Sequence, residues 1–356
     1  MDSKYKILIL QGEISGYNVE TYNIIAETYN LTVGYYRKDK SNIRCKFQKH
    51  RFDFKSFGSF TFIKGLRSFC KQYDLVCILP DFHVISYCIL PFLPHSYKIS
   101  NWSIGFRVSY QHPYITDRKH NFLDHIFRRI LDRCDSSIFY MEKSKEFWKN
   151  TSVDLRKIYV APNTTSVVDI EIKPEMKRDF IFVGTLYKGK GLDLLLNSYK
   201  QLLEEVSVNV KLRIVGDGEM RAEIETFIKK NHLEGRIYLL GAIYDEILLA
   251  KEFSKAVLCF SPTQGGLSVP KSMGYAVPFV TKKNAITGGE IYHMTPGVNG
   301  IMYDRDEELI TIMLDAVNNA SKYIEMGMRA KDYYNNYATV KHMAQGAMDA
   351  FKFALK

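Results

Sequence analysis

Short apolar runs rich in β-branched residues alternate along the chain with amphipathic stretches of helical period, a pattern that predicts parallel strands flanked by helices. Two such series are present. The first has runs at 6–10, 31–35, 75–79, 97–102, 137–140 and 158–160. The second has runs at 179–183, 212–215, 237–240, 256–260 and 279–281. Between them Ala161-Pro162-Asn163-Thr164-Thr165 and a polar stretch to Arg178 interrupt both kinds of element, which marks a linker. From about Asp306 onward the spacing is helical with no strand-like run. The expectation is an α/β protein of two Rossmann-like domains, 1–165 and 166–335, with a last helix at 336–356 packing back on the first domain.

At 356 residues the chain is too long for one ordinary core and fits two. No window approaches the roughly 18 uninterrupted apolar residues of a membrane span. The start, Met-Asp-Ser-Lys-Tyr-Lys before Ile7-Leu-Ile-Leu10, reads as a strand and not a signal peptide, so a cytoplasmic location is expected. The six cysteines show no C-x-x-C spacing, which predicts buried free thiols and no zinc site.

Charge changes the picture once it is divided. Residues 1–170 hold 25 basic against 16 acidic side chains, a net of +9, and the remainder 24 against 23. Within the first half, 37–71 concentrates eleven basic residues with only Asp39 and Asp53, interleaved with Phe47, Phe52, Phe54, Phe57, Phe60, Phe62 and Phe69. Cations among phenylalanines suit an anionic membrane surface, where rings enter the interface and charges meet headgroups. A solvated loop whose rings are simply core, or a nucleic-acid surface, has the same composition. No nucleic-acid motif accompanies the patch, so nucleic acid is not expected as a partner.

Ligands of open parallel sheets bind beyond the carboxyl ends of the strands. Three turns of the second series are equipped for one. Gly184-Thr185-Leu-Tyr-Lys188-Gly-Lys190-Gly191 offers two lysines to a diphosphate, although alone it could be a surface turn. Gly216-Asp-Gly218 is weaker, since most such turns merely connect elements. In 260–280, Gln264-Gly265-Gly266-Leu267-Ser268-Val269 joins a strand end to a helix start, where glycines admit a ligand and backbone N–H groups point at an anion.

Taken in order, these pieces resemble the nucleotide-sugar-binding domain of family 4 glycosyltransferases, which have the GT-B fold of two Rossmann-like domains facing each other across a cleft. Val183-Gly-Thr-Leu-Tyr-Lys-Gly-Lys-Gly191 is similar to V-G-R-L-x-x-x-K-G, Leu212-Arg-Ile-Val-Gly-Asp-Gly218 to L-x-I-V-G-x-G, and Tyr238-Leu-Leu-Gly241 to a strand ending in L-G. Ser261 to Pro278 resembles the loop and helix that grip the donor diphosphate. Gly288-Gly-Glu290 and Gly297-Val-Asn-Gly300 resemble G-G-x-x-E and G-x-N-G. In the first half, the turn from Gly12 to Gly16 stands at the family's first glycine loop.

The resemblance implies a retaining transfer, without cofactor or bound metal, from a nucleoside-diphosphate sugar to a glycan or lipid-linked acceptor, in surface polysaccharide or glycolipid synthesis at the inner face of the cell membrane. A UDP-sugar stands ahead of a GDP-sugar, although Ala242 and Ile243, expected beside the base, do not distinguish them. Lys188, Lys190 and Lys271 are implied for the donor, and Glu290 becomes the carboxylate for ribose or donor-sugar hydroxyls, unless it only serves the dipole of a helix start.

The chain also departs from the family. Thr263 and Lys271 occupy the places of its two glutamates, Thr185 that of an arginine, and the turn Ser103-Ile-Gly105-Phe-Arg107 lacks its histidine. His83 and His112 are the substitutes, His83 as a catalytic candidate and His112 with Arg107 on the acceptor side. A GT-B sugar-nucleotide epimerase, or a non-catalytic nucleotide-binding subunit of a glycan-assembly complex, remains open as a rival reading.

Overall fold

The computed structural model describes residues 4–108, 114–207 and 209–356. Its contacts divide the chain into two compact units. The first consists of residues 4–108, Ile115–Thr165 and Thr339–Lys356, and the second of Tyr114 and Ser166–Ala338.

The first unit contains strands β1 (Lys6–Leu10), β2 (Asn30–Tyr35), β3 (Gln48–Arg51), β4 (Phe54–Phe57), β5 (Phe60–Ile63), β6 (Leu75–Ile78), β7 (Lys98–Ser103), β8 (Ser136–Phe139) and β9 (Ile158–Val160). Seven form one parallel sheet in the order β3-β2-β1-β6-β7-β8-β9, while β4 and β5 form a separate antiparallel hairpin. Alternate side chains of the central strands feed two cores. Ile7, Ile9, Leu31, Val33 and Leu75 lie in one, and Leu8, Leu10, Val76, Ile78 and Ile99 in the other. A sheet buried on both faces explains the nearly continuous apolar runs. The last helix, Val340–Ala354, packs on the helix Val19–Thr28 and on β8 and β9 through an alanine face. A Cβ on Gly346 would stand 2.0 Å from the Val160 carbonyl oxygen, so this approach requires glycine.

The second unit contains β10 (Asp179–Val183), β11 (Leu212–Val215), β12 (Ile237–Gly241), β13 (Ala256–Phe260), β14 (Phe279–Lys282) and β15 (Gly300–Tyr303), in the parallel order β12-β11-β10-β13-β14-β15. The chain winds outward from β10 to β12, then returns to β13 on the other side of β10. The carboxyl ends of β10 and β13 are therefore neighbours at a topological switch point, where sheets of this kind bind ligands. On the flank, Arg213 bridges two carboxylates, Asp179 on β10 and Glu252 on the helix Glu246–Phe253. All six cysteines are free thiols, and all but Cys45 are buried.

The runs expected from the sequence are strands within a residue or so of their observed ends. The periodicity does not predict β3, the β4–β5 hairpin or β15. Gln48–Arg51 is polar and mostly exposed, so no apolar run marks it.

Candidate functional site

At the switch point the β10 turn is built backbone on backbone. Gly216 lies so close to it that a Cβ there would be 1.8 Å from the Gly184 carbonyl oxygen, and one on Gly218 would be 2.4 Å from that of Leu186. The Gly216-Asp-Gly218 turn thus supports the Gly184 turn through close packing. The chain then tightens at Lys188–Lys190 and enters the helix Leu192–Glu205 through Gly191, whose φ of 69° is left-handed. Thr185 and Lys188 are exposed, whereas Lys190 is buried, with 9% of its surface accessible.

The Lys190 ammonium makes no hydrogen bond or ion pair among the described residues; its near neighbours are the Gly184 backbone and the Tyr187 ring. Burial pushes its pKa down, and the Glu290 carboxylate draws it partway back up. A buried cation without a counterion is costly to maintain and attracts an anion.

The turn after β13 is tied to the β10 turn at two points. Thr263 Oγ1 donates to the Gly189 carbonyl at 2.7 Å, and the Tyr187 hydroxyl donates to Gln264 Oε1. Gly265 has its N–H on the Ile286 carbonyl, and a Cβ on it would be 2.2 Å from Ile291, so glycine is obligatory there. Gly266, by contrast, faces open space. The next residues, Leu267 and Ser268, begin the helix Ser268–Gly274, and the Ser268 hydroxyl is buried with no partner among the described residues.

Lys271 is turned away from this turn's open side. Its ammonium is held by the Ser166 carbonyl at 2.6 Å and by both oxygens of Glu246 at 2.8 and 2.7 Å, and Glu246 also accepts from the Tyr275 hydroxyl. The expectation that Lys271 meets the donor therefore encounters an ammonium already neutralised inside the unit. Nothing local in the sequence signals this, because Glu246 lies on another element.

Glu290 is buried at the start of a short helical turn. Its Oε2 accepts from the Thr287 hydroxyl at 3.0 Å and the Gly288 N–H at 2.8 Å, which fixes the carboxylate. Thr287 was not apparent as a site residue. Asn299 of the Gly297–Gly300 motif closes its own loop, accepting from the Thr295 N–H at 2.6 Å and donating to the His293 carbonyl. Ala242 is exposed and Ile243 half-buried in the turn after β12, just before the Asp245 cap of the helix Glu246–Phe253.

In the first unit, the turn after β1 carries Gly12, whose carbonyl accepts from the Arg37 N–H, and Gly16, which packs under Asn42 and Lys40. His83 follows β6. Its Nδ1 lies 3.3 Å from the Ser59 carbonyl and its own carbonyl accepts from the Thr61 N–H, so it holds the β4–β5 hairpin. Arg107 is half-buried at the end of the turn after β7, and His112 lies outside the described residues. Apart from the half-buried Phe69, the phenylalanines of 37–71 separate into two groups. Phe47 and Phe52 are core, whereas Phe54, Phe57, Phe60 and Phe62 stand exposed on the hairpin, Phe57 at 76%. Among the described residues no helix is long and apolar enough to cross a membrane, and no cluster of His, Cys, Asp or Glu could hold a metal.

Residues 177–319 match the family model described as glycosyl transferases group 1. An uncharacterized glycosyltransferase of Methanocaldococcus jannaschii is 26% identical over 165 residues, 45% of this chain and 44% of that protein. One of Haemophilus influenzae is 23% identical over 220 residues, 58% and 59% of the two chains. The chain thus spans about half the length of these curated relatives. Among solved structures, HepE of Anabaena in complex with UDP superposes with a TM-score of 0.70 at 16% identity, over 98% of this chain and 99% of that one. Sucrose-phosphate synthase of Thermosynechococcus elongatus gives 0.73 at 14% identity over 98% of each chain. WaaG, a glycosyltransferase involved in lipopolysaccharide biosynthesis, gives 0.65 at 12%, over 98% and 99%.

By fold, the two winding sheets are those of a GT-B protein. The match to the group 1 glycosyl transferase model spans β10 to β15, the whole sheet of the second unit.

Proposed function

We propose that this protein transfers a sugar, with retention of configuration, from a nucleoside-diphosphate sugar to a hydroxyl of a membrane-associated glycan precursor. The observation that carries the reading is Lys190, a buried ammonium without a counterion at the β10–β13 switch point. A diphosphate there would be neutralised by Lys190, with exposed Lys188 within the same turn, and would meet the unpartnered Ser268 hydroxyl and the backbone beside open Gly266. Fixed donors aimed at the phosphate charge that develops as the glycosidic bond breaks supply electrostatic stabilisation of the transition state. Glu290, held by Thr287 and Gly288, would accept from donor hydroxyls.

A UDP-sugar is the favoured donor, supported by the fold shared with HepE, which has been solved with UDP and with UDP-glucose. For the acceptor, the exposed phenylalanines of the hairpin, flanked by Lys55, Lys64, Arg67 and Lys71, favour a lipid-linked glycan reached from an anionic membrane surface on the cytoplasmic side. Incubating purified protein with a panel of radiolabelled nucleoside-diphosphate sugars and lipid-linked acceptors tests the reading. Transfer or slow hydrolysis of one donor, lost in Lys190→Ala, is expected. Full turnover in that variant would remove the diphosphate assignment, and epimerised donor as product would favour the epimerase.

A further inference from the structure

A second polar cavity, of about 590 Å³, lies wholly within the first unit, and nothing in the donor site uses it. One wall is the segment after β7, with Arg118 and His120; a second is the helix Phe122–Arg133, with His125 and Arg128; a third is the segment after β8, with Glu146 and Asn150. Two walls thus follow the carboxyl ends of adjacent parallel strands, the side on which such sheets bind ligands, and the volume is that of a small-ligand site.

The charges around it are mostly settled internally. Arg118 pairs with Asp124 through both terminal nitrogens, at 2.6 and 2.9 Å, and lies over the Phe147 ring. Glu146 pairs with Lys143 at 2.7 Å. Arg128 is the unpaired cation among them, a half-buried guanidinium with no hydrogen bond or ion pair among the described residues, and its Nε, like that of Arg118, is covered without a partner. Also lining the cavity, His120 stacks on Phe147 with ring centroids 4.2 Å apart, its ring nitrogens without a hydrogen bond among the described residues. Asp117 stands exposed on the rim, with no cation paired to it among the described residues.

We propose that this cavity binds a saccharide bearing a carboxylate, a uronic-acid unit. An unpaired planar guanidinium fits a carboxylate through two parallel hydrogen bonds. The stacked imidazole offers a flat surface for a sugar ring, and Asp117, Asn150 and Thr151 offer hydroxyl partners on the rim. A bare phosphate would use the guanidinium but leave the stacking surface and the rim idle. That this saccharide is part of the acceptor rests on the transferase reading above; its binding to the first unit does not.

The test is titration calorimetry on the whole protein, without donor, with a tetrasaccharide alternating glucuronate and N-acetylglucosamine, a neutral tetramer of N-acetylglucosamine, and inorganic phosphate. The charged sugar should bind at least tenfold more tightly than either comparison, weaken with added salt, and fall to the level of the neutral sugar in Arg128→Gln, with Arg128→Lys between. Lys190→Met should bind it normally, which separates this site from the donor site. Equal binding of charged and neutral sugars, no binding of either, or wild-type affinity in a folded Arg128→Gln protein would overturn the proposal. Phosphate binding as tight as the tetrasaccharide would reduce the cavity to a simple anion site and overturn it as well.

Discussion

Replacing Lys190 by Met should move two observables in opposite directions. Methionine keeps the stem that packs against the Gly184 turn and removes the buried charge. In the unliganded protein the ammonium has no hydrogen-bond partner among the described residues, and an unsatisfied buried charged donor costs at least about 1 kcal/mol. The variant should therefore melt higher, by about 2–4 °C for a unit of this size. Donor binding should suffer instead. A hydrogen bond to a charged group contributes about 1.5–3 kcal/mol, so affinity for UDP should fall roughly 10- to 150-fold.

The pH dependence has a definite sign. Burial holds the Lys190 pKa below the ordinary lysine value, and a bound diphosphate raises it. Binding then takes up a proton at pH above the unliganded value, so wild-type affinity falls as pH rises through that value, and the Met variant loses this dependence. Titration calorimetry from neutral to alkaline pH, with thermal unfolding of the same samples, reads both effects. Unchanged UDP affinity in a folded variant would refute the reasoning, as would a lower melting temperature.

Gly216→Ala should destabilise the second unit by more than about 2 kcal/mol in urea unfolding, because its Cβ would meet the Gly184 carbonyl oxygen at 1.8 Å and its φ is 149°. Lys177, buried against the Ala256 and Tyr275 carbonyls, has its pKa lowered from 10.5 to about 7, chiefly by burial. Between these values the unfolded chain holds a proton that the folded one has lost, so this group adds stability with rising pH at about 1.4 kcal/mol per unit, and nothing below about pH 7. Lys177→Met should flatten that slope in urea titrations from pH 6 to 9. Glu290→Gln should weaken UDP-sugar binding without lowering the melting temperature by more than a degree or two, since the amide oxygen can still accept from Thr287 and Gly288; unchanged affinity would leave Glu290 a structural residue. Phe57→Ser with Phe60→Ser should reduce sedimentation with phosphatidylglycerol vesicles at low salt and leave thermal stability unchanged, because both rings are exposed. Equal sedimentation would remove the hairpin from the membrane.

Strands such as β1, β6 and β10 were legible because both their faces are buried, which turns each into an unbroken apolar run. The β4–β5 hairpin had a signal that periodicity passes over. Phe57-Gly58-Ser59-Phe60 places a two-residue glycine turn between phenylalanines, and Gly58 has a φ of 55°. Its rings read as membrane candidates ahead of core, and only exposure divides Phe52 from Phe57. The glycines of the donor turns were visible as a pattern, but their tasks were not. Gly265 and Gly216 yield to packing, and Gly266 alone opens outward, a distinction made by Ile291 and Gly184 across the sheet.

The two departures at the expected glutamate positions have a common physical explanation in the second unit. At one expected carboxylate position Thr263 spends its hydroxyl on the Gly189 carbonyl, locking the β13 turn to the lysine turn. At the other, Lys271 carries a positive charge where a negative one was expected, but Glu246 cancels it from a different helix, within a network closed by Tyr275 and the Ser166 carbonyl. Neither substitution leaves an unpaired group facing the switch point. The buried charges there are then Lys190 and Glu290, close enough for the carboxylate to raise the lysine's pKa, yet without an ion pair between them. Had they closed into a salt bridge, each would have satisfied the other and a diphosphate would have had to break it. Held apart by the Thr287 and Gly288 contacts on one side and the Gly184 turn on the other, the two charges stay separate in the unliganded protein, which is what the proposed donor reading requires of them.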